Sequence, residues 1–151
     1  MLGTVTRGQG ELMAHTASTM LALGTPAPPF ELMDALSGEH MSLSALRGEY
    51  ATLVMFICNH CPFVKHIEQE LRDLAGDYKK PEVGIIAINA NDADSYPEDA
   101  PQYMAAREYP FPYLYDESQQ VARAYQAACT PDFFVFDSEL RLRYRGQFDD
   151  S

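Results

Sequence analysis

Cysteine is scarce in this chain, cations are outnumbered, and long apolar runs are missing; each shortage removes a class of protein. Three cysteines in 151 residues cannot build the dense disulfide framework of a small secreted scaffold, and their odd number leaves at least one without an intramolecular partner. Eleven basic residues stand against 22 acidic ones, a net charge of −11, which repels nucleic-acid phosphates and anionic lipid surfaces. No basic patch offsets this, because Arg141, Arg143 and Arg145 alternate as on the exposed face of a strand. The most apolar early stretch, residues 20–23, is far shorter than a signal-peptide core or a membrane span. These absences predict a cytoplasmic protein with no nucleic-acid partner and no membrane partner.

The length suits one α/β domain with a substantial core. Residues 1–12 are polar, Gly-rich and aperiodic; residues 1–23 are therefore set apart as a flexible N-terminal segment, and residues 24–151 as the domain. Residues 30–33 and 40–43, joined through Ser37-Gly38, read as a hairpin, followed by one helical turn at residues 44–47. Residues 50–57 and 83–90 are nearly unbroken apolar runs of strand length, the pattern of strands covered on both faces. Between them Val64, Ile67, Leu71, Leu74 and Tyr78 recur at spacings of three and four, which predicts an amphipathic helix over residues 62–79.

After an acidic loop at residues 91–99, read as solvated, Asp99 is expected to cap a helix over residues 101–108. Residues 111–115, 133–137 and 140–145 read as further strands and residues 118–125 as a helix. Tyr103, Tyr109, Tyr113 and Tyr115 are expected to pack with their hydroxyls at the rim. Strands and helices alternate, giving an α/β class with a central mixed sheet flanked by helices. The chain stops soon after the last strand, so a C-terminal covering helix is expected to be missing.

The chemistry lies in Cys58-Asn59-His60-Cys61, where the first long strand passes into the amphipathic helix. A helix amino terminus presents unpaired backbone N–H groups and the positive end of the dipole, both of which favour a thiolate. An ordinary thiol has a pKa of about 8.5, and lowering it by ~1.5 units takes roughly 2 kcal/mol. His60, between the cysteines, can stabilise a Cys58 thiolate further and make the disulfide more oxidising. Cys61, one turn on, is within disulfide reach and suits the resolving role. This predicts exchange with protein or small-molecule disulfides and an external thiol reductant, with no bound cofactor. A CxxC also serves metal sites: Cys58, Cys61, Cys129 and a histidine could surround zinc or copper. Cys129 is read as a packed core residue, or else as an accessory thiol.

Strand, CxxC, helix and the later Thr130-Pro131 before a strand resemble the thioredoxin superfamily. The resemblance is specifically to bacterial peroxiredoxin-like (AhpC/TSA-like) thioredoxin-domain proteins with a CxxC. It rests on Gly24-Thr25-Pro26-Ala27-Pro28, on residues 55–66 around the cysteines, on Ala87-Ile88-Asn89-Ala90-Asn91-Asp92, on residues 111–116, and on Cys129-Thr130-Pro131-Asp132-Phe133-Phe134. The resemblance implies a thioredoxin-like fold with an N-terminal hairpin extension. It also implies a cis proline at Pro131 beside the cysteines, and a Thr130 backbone that pairs with extended substrate. Two positions depart from thioredoxin: its tryptophan is Ile57 and its buried acid is Thr52, so the proton acceptor is expected to be His60 or water. Cys61-Pro62 matches the peroxidatic Cys-Pro of peroxiredoxins, which implies a thiol peroxidase with Cys58 resolving as the alternative. The threonine and arginine such enzymes use are replaced here, which argues for disulfide exchange.

Overall fold

The computed structural model describes residues 21–59, 68–77, 82–127 and 131–147. The chain enters the sheet through an antiparallel hairpin, β1 (Glu31–Asp34) and β2 (His40–Ser42). The turn between them needs a residue with φ of +77°, which Gly38 adopts without a side-chain clash. Ser42 then caps the single turn of α1 (Leu43–Leu46) by accepting the Ala45 N–H at 3.2 Å.

The two apolar runs become β3 (Ala51–Phe56) and β4 (Val83–Asn89), paired in parallel from Ala51↔Val83 to Phe56↔Ile88. Between them lies the described part of the amphipathic helix, α2 (Glu68–Asp77), which buries Leu71. The expected helical positions 62–67 and 78–79 lie outside the described residues. Past β4 come a 3-10 turn (Pro97–Asp99), α3 (Pro101–Ala105) and β5 (Tyr113–Tyr115). The chain then forms α4 (Gln120–Tyr125), β6 (Asp132–Asp137) and β7 (Leu142–Gln147).

These strands make one seven-stranded sheet in the order β2-β1-β5-β4-β3-β6-β7. The β3–β4 and β4–β5 pairs are parallel and the others antiparallel, the mixed sheet expected. The hairpin extends it beyond β5, and among the described residues no helix follows β7.

Alternation along β3 and β4 divides the core. Val54, Phe56, Ile86 and Ile88 face one way, with Phe30, Phe134, Phe136 and the α4 residue Tyr125. Met55, Ile57, Cys58, Ile85 and Ala87 face the other, with Leu71 of α2, Met104 of α3 and Tyr109. Fully burying one such side chain is worth about 1.5–3 kcal/mol, so strands covered on both sides dominate the stability. Leu21, within the segment set apart as flexible, already packs on the first of these clusters. Gly48 and Gly84 let the turn after α1 lie against β4: a Cβ on Gly84 would stand 2.4 Å from the Leu46 carbonyl oxygen.

Three local expectations are corrected. Asp99 does not cap α3; the N-cap is Ala100, with no side-chain cap, because Pro101 takes the first helical position. That helix stops at Ala105 rather than residue 108, and Arg72 collects the carbonyls of Arg107 and Glu108 instead. Arg145 is not on an exposed row. A bulge between Val135 and Phe136 puts both Leu142 and Arg145 opposite residues of the Tyr125 side, and Arg145 is buried against Asp132.

Candidate active site

The parallel ladder continues one residue past β3, where the Ile57 N–H donates to the Ile88 carbonyl at 3.0 Å. The chain then leaves the sheet at Cys58 and Asn59, which are 1% and 2% exposed. The register Phe56↔Asp132 places the buried Pro131 at this same end of β3. His60, Cys61, Cys129 and Thr130 lie outside the described residues. Of the expected site, the structure therefore brings Cys58 and Pro131 to one end of the sheet.

What surrounds Cys58 was not foreseen from the sequence. All four polar atoms of Asn59 are held. Its N–H donates to Asp99 Oδ1 at 2.5 Å, its Nδ2 to the Glu98 carbonyl at 2.8 Å, its Oδ1 accepts the Tyr113 hydroxyl at 3.0 Å, and its carbonyl accepts Arg107 at 3.2 Å. Asp99 is fully buried and also accepts Asn89 Nδ2 at 2.9 Å and Asn91 Nδ2 at 3.2 Å. Asn89 reaches the Tyr113 hydroxyl as well, at 3.3 Å.

The loop expected to be solvated thus turns Asp99 inward, and Tyr113, 3% exposed, carries its hydroxyl in the interior rather than at the rim. Burial pushes the Tyr113 phenol well above its usual range, against the bond from Asn89 and aided by the negative charges of Asp99 and Cys58. Tyr109 is pushed up to about 12, mainly by burial and then by Glu68, with Arg107 and Arg72 opposing. One signal in the sequence could have found Asp99: a proline at position 101 makes residue 100 the helix cap and releases the aspartate for other work.

A second layer carries charge. Arg107 bridges Asn59 to Glu68 Oε1 at 3.3 Å, Glu68 Oε2 accepts Arg72 at 3.0 Å, and the Arg72 guanidinium lies 4.9 Å from the Tyr109 ring centre. Beside it opens a cleft of about 480 Å³ lined by Asn59, Glu98, Tyr103, Ala106 and Arg107, wide enough for an extended segment or a small disulfide. Thr52, standing where thioredoxin has its buried acid, is fully buried and accepts the Gly48 N–H at 3.0 Å, so it serves the backbone. Among the described residues no group of three or more His, Cys, Asp or Glu side chains could hold a metal ion.

Residues 23–145 match the model of the AhpC/TSA family. The chain is 31% identical over 129 residues to the thiol-disulfide oxidoreductase ResA of Geobacillus kaustophilus, covering 85% of itself and 71% of that relative. An uncharacterized conserved protein of the same species, solved as a crystal structure, is 54% identical with a TM-score of 0.82, over 87% of this chain and 72% of that one. A hypothetical protein of Sinorhizobium meliloti is 48% identical with a TM-score of 0.80, over 87% and 73%.

The cytoplasmic expectation is overturned. It conflicts with the extracytoplasmic, membrane-anchored character of thioredoxins of the ResA kind, the relative to which the chain is 31% identical. No described helix is long and apolar enough to cross a membrane, but that describes segments of the fold and does not set its address.

Proposed function

The chain belongs to the AhpC/TSA family, and from that premise we propose that it is a thiol–disulfide oxidoreductase working through Cys58 and Cys61. The observation that carries this is the placement of the Cys58–Asn59 step at the end of an interior strand, clamped on every polar atom of Asn59 and adjoined by Pro131 and an open cleft. Rigid placement of a nucleophile beside a substrate groove is what an exchange reaction needs.

In the reducing direction a thiolate of the pair attacks a substrate disulfide, forming one S–S bond and breaking another. The departing substrate sulfur takes up a proton. The second cysteine then displaces the substrate, so that two electrons leave the dithiol and an intramolecular disulfide remains. An external thiol reductant reopens it. The substrates are protein or small-molecule disulfides held in the cleft, with Thr130 and Pro131 supplying backbone contacts and His60 a proton.

The dithiothreitol-reduced protein is expected to reduce insulin disulfides catalytically, with Cys58→Ser and Cys61→Ser each lowering the rate to background. Turnover in either variant equal to wild type would refute the assignment of the pair.

A further inference from the structure

Helix α4 and strand β6 bracket the turn that carries Pro131, and one side chain touches both. α4 ends at Gln126, a residue other than glycine in the left-handed region, with φ of 53°, a conformation that surrounding contacts must hold. The peptide unit that follows it is held on both sides: the Ala127 N–H donates to the Ala122 carbonyl at 2.9 Å, and the Gln126 carbonyl accepts Arg145 Nη2 at 2.8 Å. The same guanidinium grips Asp132, the residue after Pro131 and the first of β6, with Nε to Oδ1 at 3.2 Å and Nη2 to Oδ2 at 2.7 Å.

Arg145 comes from the edge strand β7, and it turns inward because of the bulge between Val135 and Phe136. Bulges re-aim side chains next to active sites. Its side chain is 7% exposed, Asp132 is fully buried, and the guanidinium carbon lies 5.1 Å from the Phe134 ring centre. That ring packs edge-on against Tyr125, the residue before Gln126, with centres 5.4 Å apart. Such a pair is a poor device for stability as such: desolvating two charges cancels most of their attraction, and an apolar pair of similar volume often does as well. What a guanidinium adds is direction, since its planar fork fixes two partners at once. Here the two partners are the two ends of the Pro131 turn.

That turn stands where the reaction needs it. The register sets Asp132 opposite Phe56 in the β3–β6 ladder, and Cys58 follows two residues after Phe56. We propose that Arg145 is the positioning residue of the Pro131 turn: by tying the end of α4 to the start of β6 it sets the place of Pro131 against the end of β3, and so governs the docking of the extended substrate rather than the chemistry of the sulfurs. This rests on the exchange reading above and adds to it a residue that acts through Asp132 and Gln126.

The test separates docking from chemistry. Arg145→Lys keeps the cation beside Asp132, but an ammonium on a flexible stem does not reproduce the fork. With insulin as substrate and dithiothreitol as reductant, KM for insulin is expected to rise about ten-fold, the worth of one hydrogen bond to a charged group, while kcat stays within about two-fold of wild type. The Ala127 amide shares its peptide unit with the Gln126 carbonyl. Its hydrogen exchange, followed by NMR, is expected to quicken about ten-fold more than that of Ile86 in β4, whose amide reports global opening. Arg143→Lys, on the same strand and 63% exposed, is the control and should leave KM, kcat and the Ala127 amide as in wild type.

A wild-type KM in a folded Arg145→Lys chain would overturn the proposal, as would a loss of rate carried mainly by kcat, or an Ala127 amide no faster than Ile86 accounts for. If Arg145→Lys does not fold, Arg145→Met combined with Asp132→Leu removes both charges together, leaves neither buried alone, and is measured with the same expectation. Failure of both to fold would make the pair structural only and would overturn the proposal too. Absence of turnover in the wild-type chain is a different failure: it removes the exchange reading, and the positioning role with it, before any variant is compared. Wild-type turnover with an unmoved KM in the variant removes the positioning role alone.

Discussion

At the scale of single residues, the Tyr113 hydroxyl does two jobs, donating to Asn59 Oδ1 and accepting from Asn89 Nδ2. Tyr113→Phe keeps the ring and strands a buried amide oxygen. A buried polar atom left without its partner costs about 1–3 kcal/mol, so a urea melt of Tyr113→Phe should show a lower midpoint at unchanged slope. Tyr109 gives a pH signature. Its phenol ionises near 10 in the unfolded chain and at about 12 in the folded one. The folded state therefore holds the proton more tightly, and this contribution to stability is complete below pH 10 and lost as pH rises toward 12. Absorbance near 295 nm, followed in wild type and Tyr109→Phe, should show one phenol fewer titrating at the alkaline end.

Of the candidate site, the sequence made legible the position of Cys58 at the end of an apolar run and of Pro131 ahead of a strand, because local pattern alone marks both. Asn59, Asp99 and Tyr113 were not legible, because each acts through a contact across 40 or 54 positions of the chain; Asp99 carried the composition of a helix cap and the surroundings of a surface loop. Only the tertiary fold turns it inward.

At the scale of elements, both interior strands were readable because burial on two faces removes polar alternation, leaving Val54, Met55, Phe56 and Ile57 as one apolar run. The edge strand β7 was misread in one respect. Its arginines alternate, but the bulge opposite Val135 and Phe136 shifts their phase, and no residue type in the sequence marks a bulge. Arg145 consequently pairs with the fully buried Asp132 at 2.7 Å, bonds the Gln126 carbonyl at 2.8 Å and lies over the Phe134 ring. Removing one member of a buried pair leaves the other charge without its counter-ion, at about 3–5 kcal/mol. Thermal unfolding of Arg145→Ala should fall accordingly, whereas Arg143→Ala, whose side chain is 63% exposed, should change stability by no more than about 1 kcal/mol.

At the scale of the whole molecule, the sheet order places β4 and β3 inside, with β2 and β7 at the two edges. Amides whose bonds lie between interior strands open only with the whole fold, while edge strands fray locally. Native-state hydrogen exchange should show the slowest amides in β3 and β4 and earlier exchange in the three-residue β2. The fold class was legible at this scale because the succession of strands and helices leaves few topologies. The compartment was not, since a domain of this fold has the same interior on either side of a membrane.

The clamp on Asn59 has a consequence for anyone who would exchange the two residues between Cys58 and Cys61. In an exposed loop that dipeptide would be freely interchangeable. Here, position 59 supplies donors to the Pro97–Asp99 turn and an acceptor to β5, so a proline or an aliphatic residue there would unseat those neighbours. A graft from another oxidoreductase would therefore succeed only if the asparagine stayed behind.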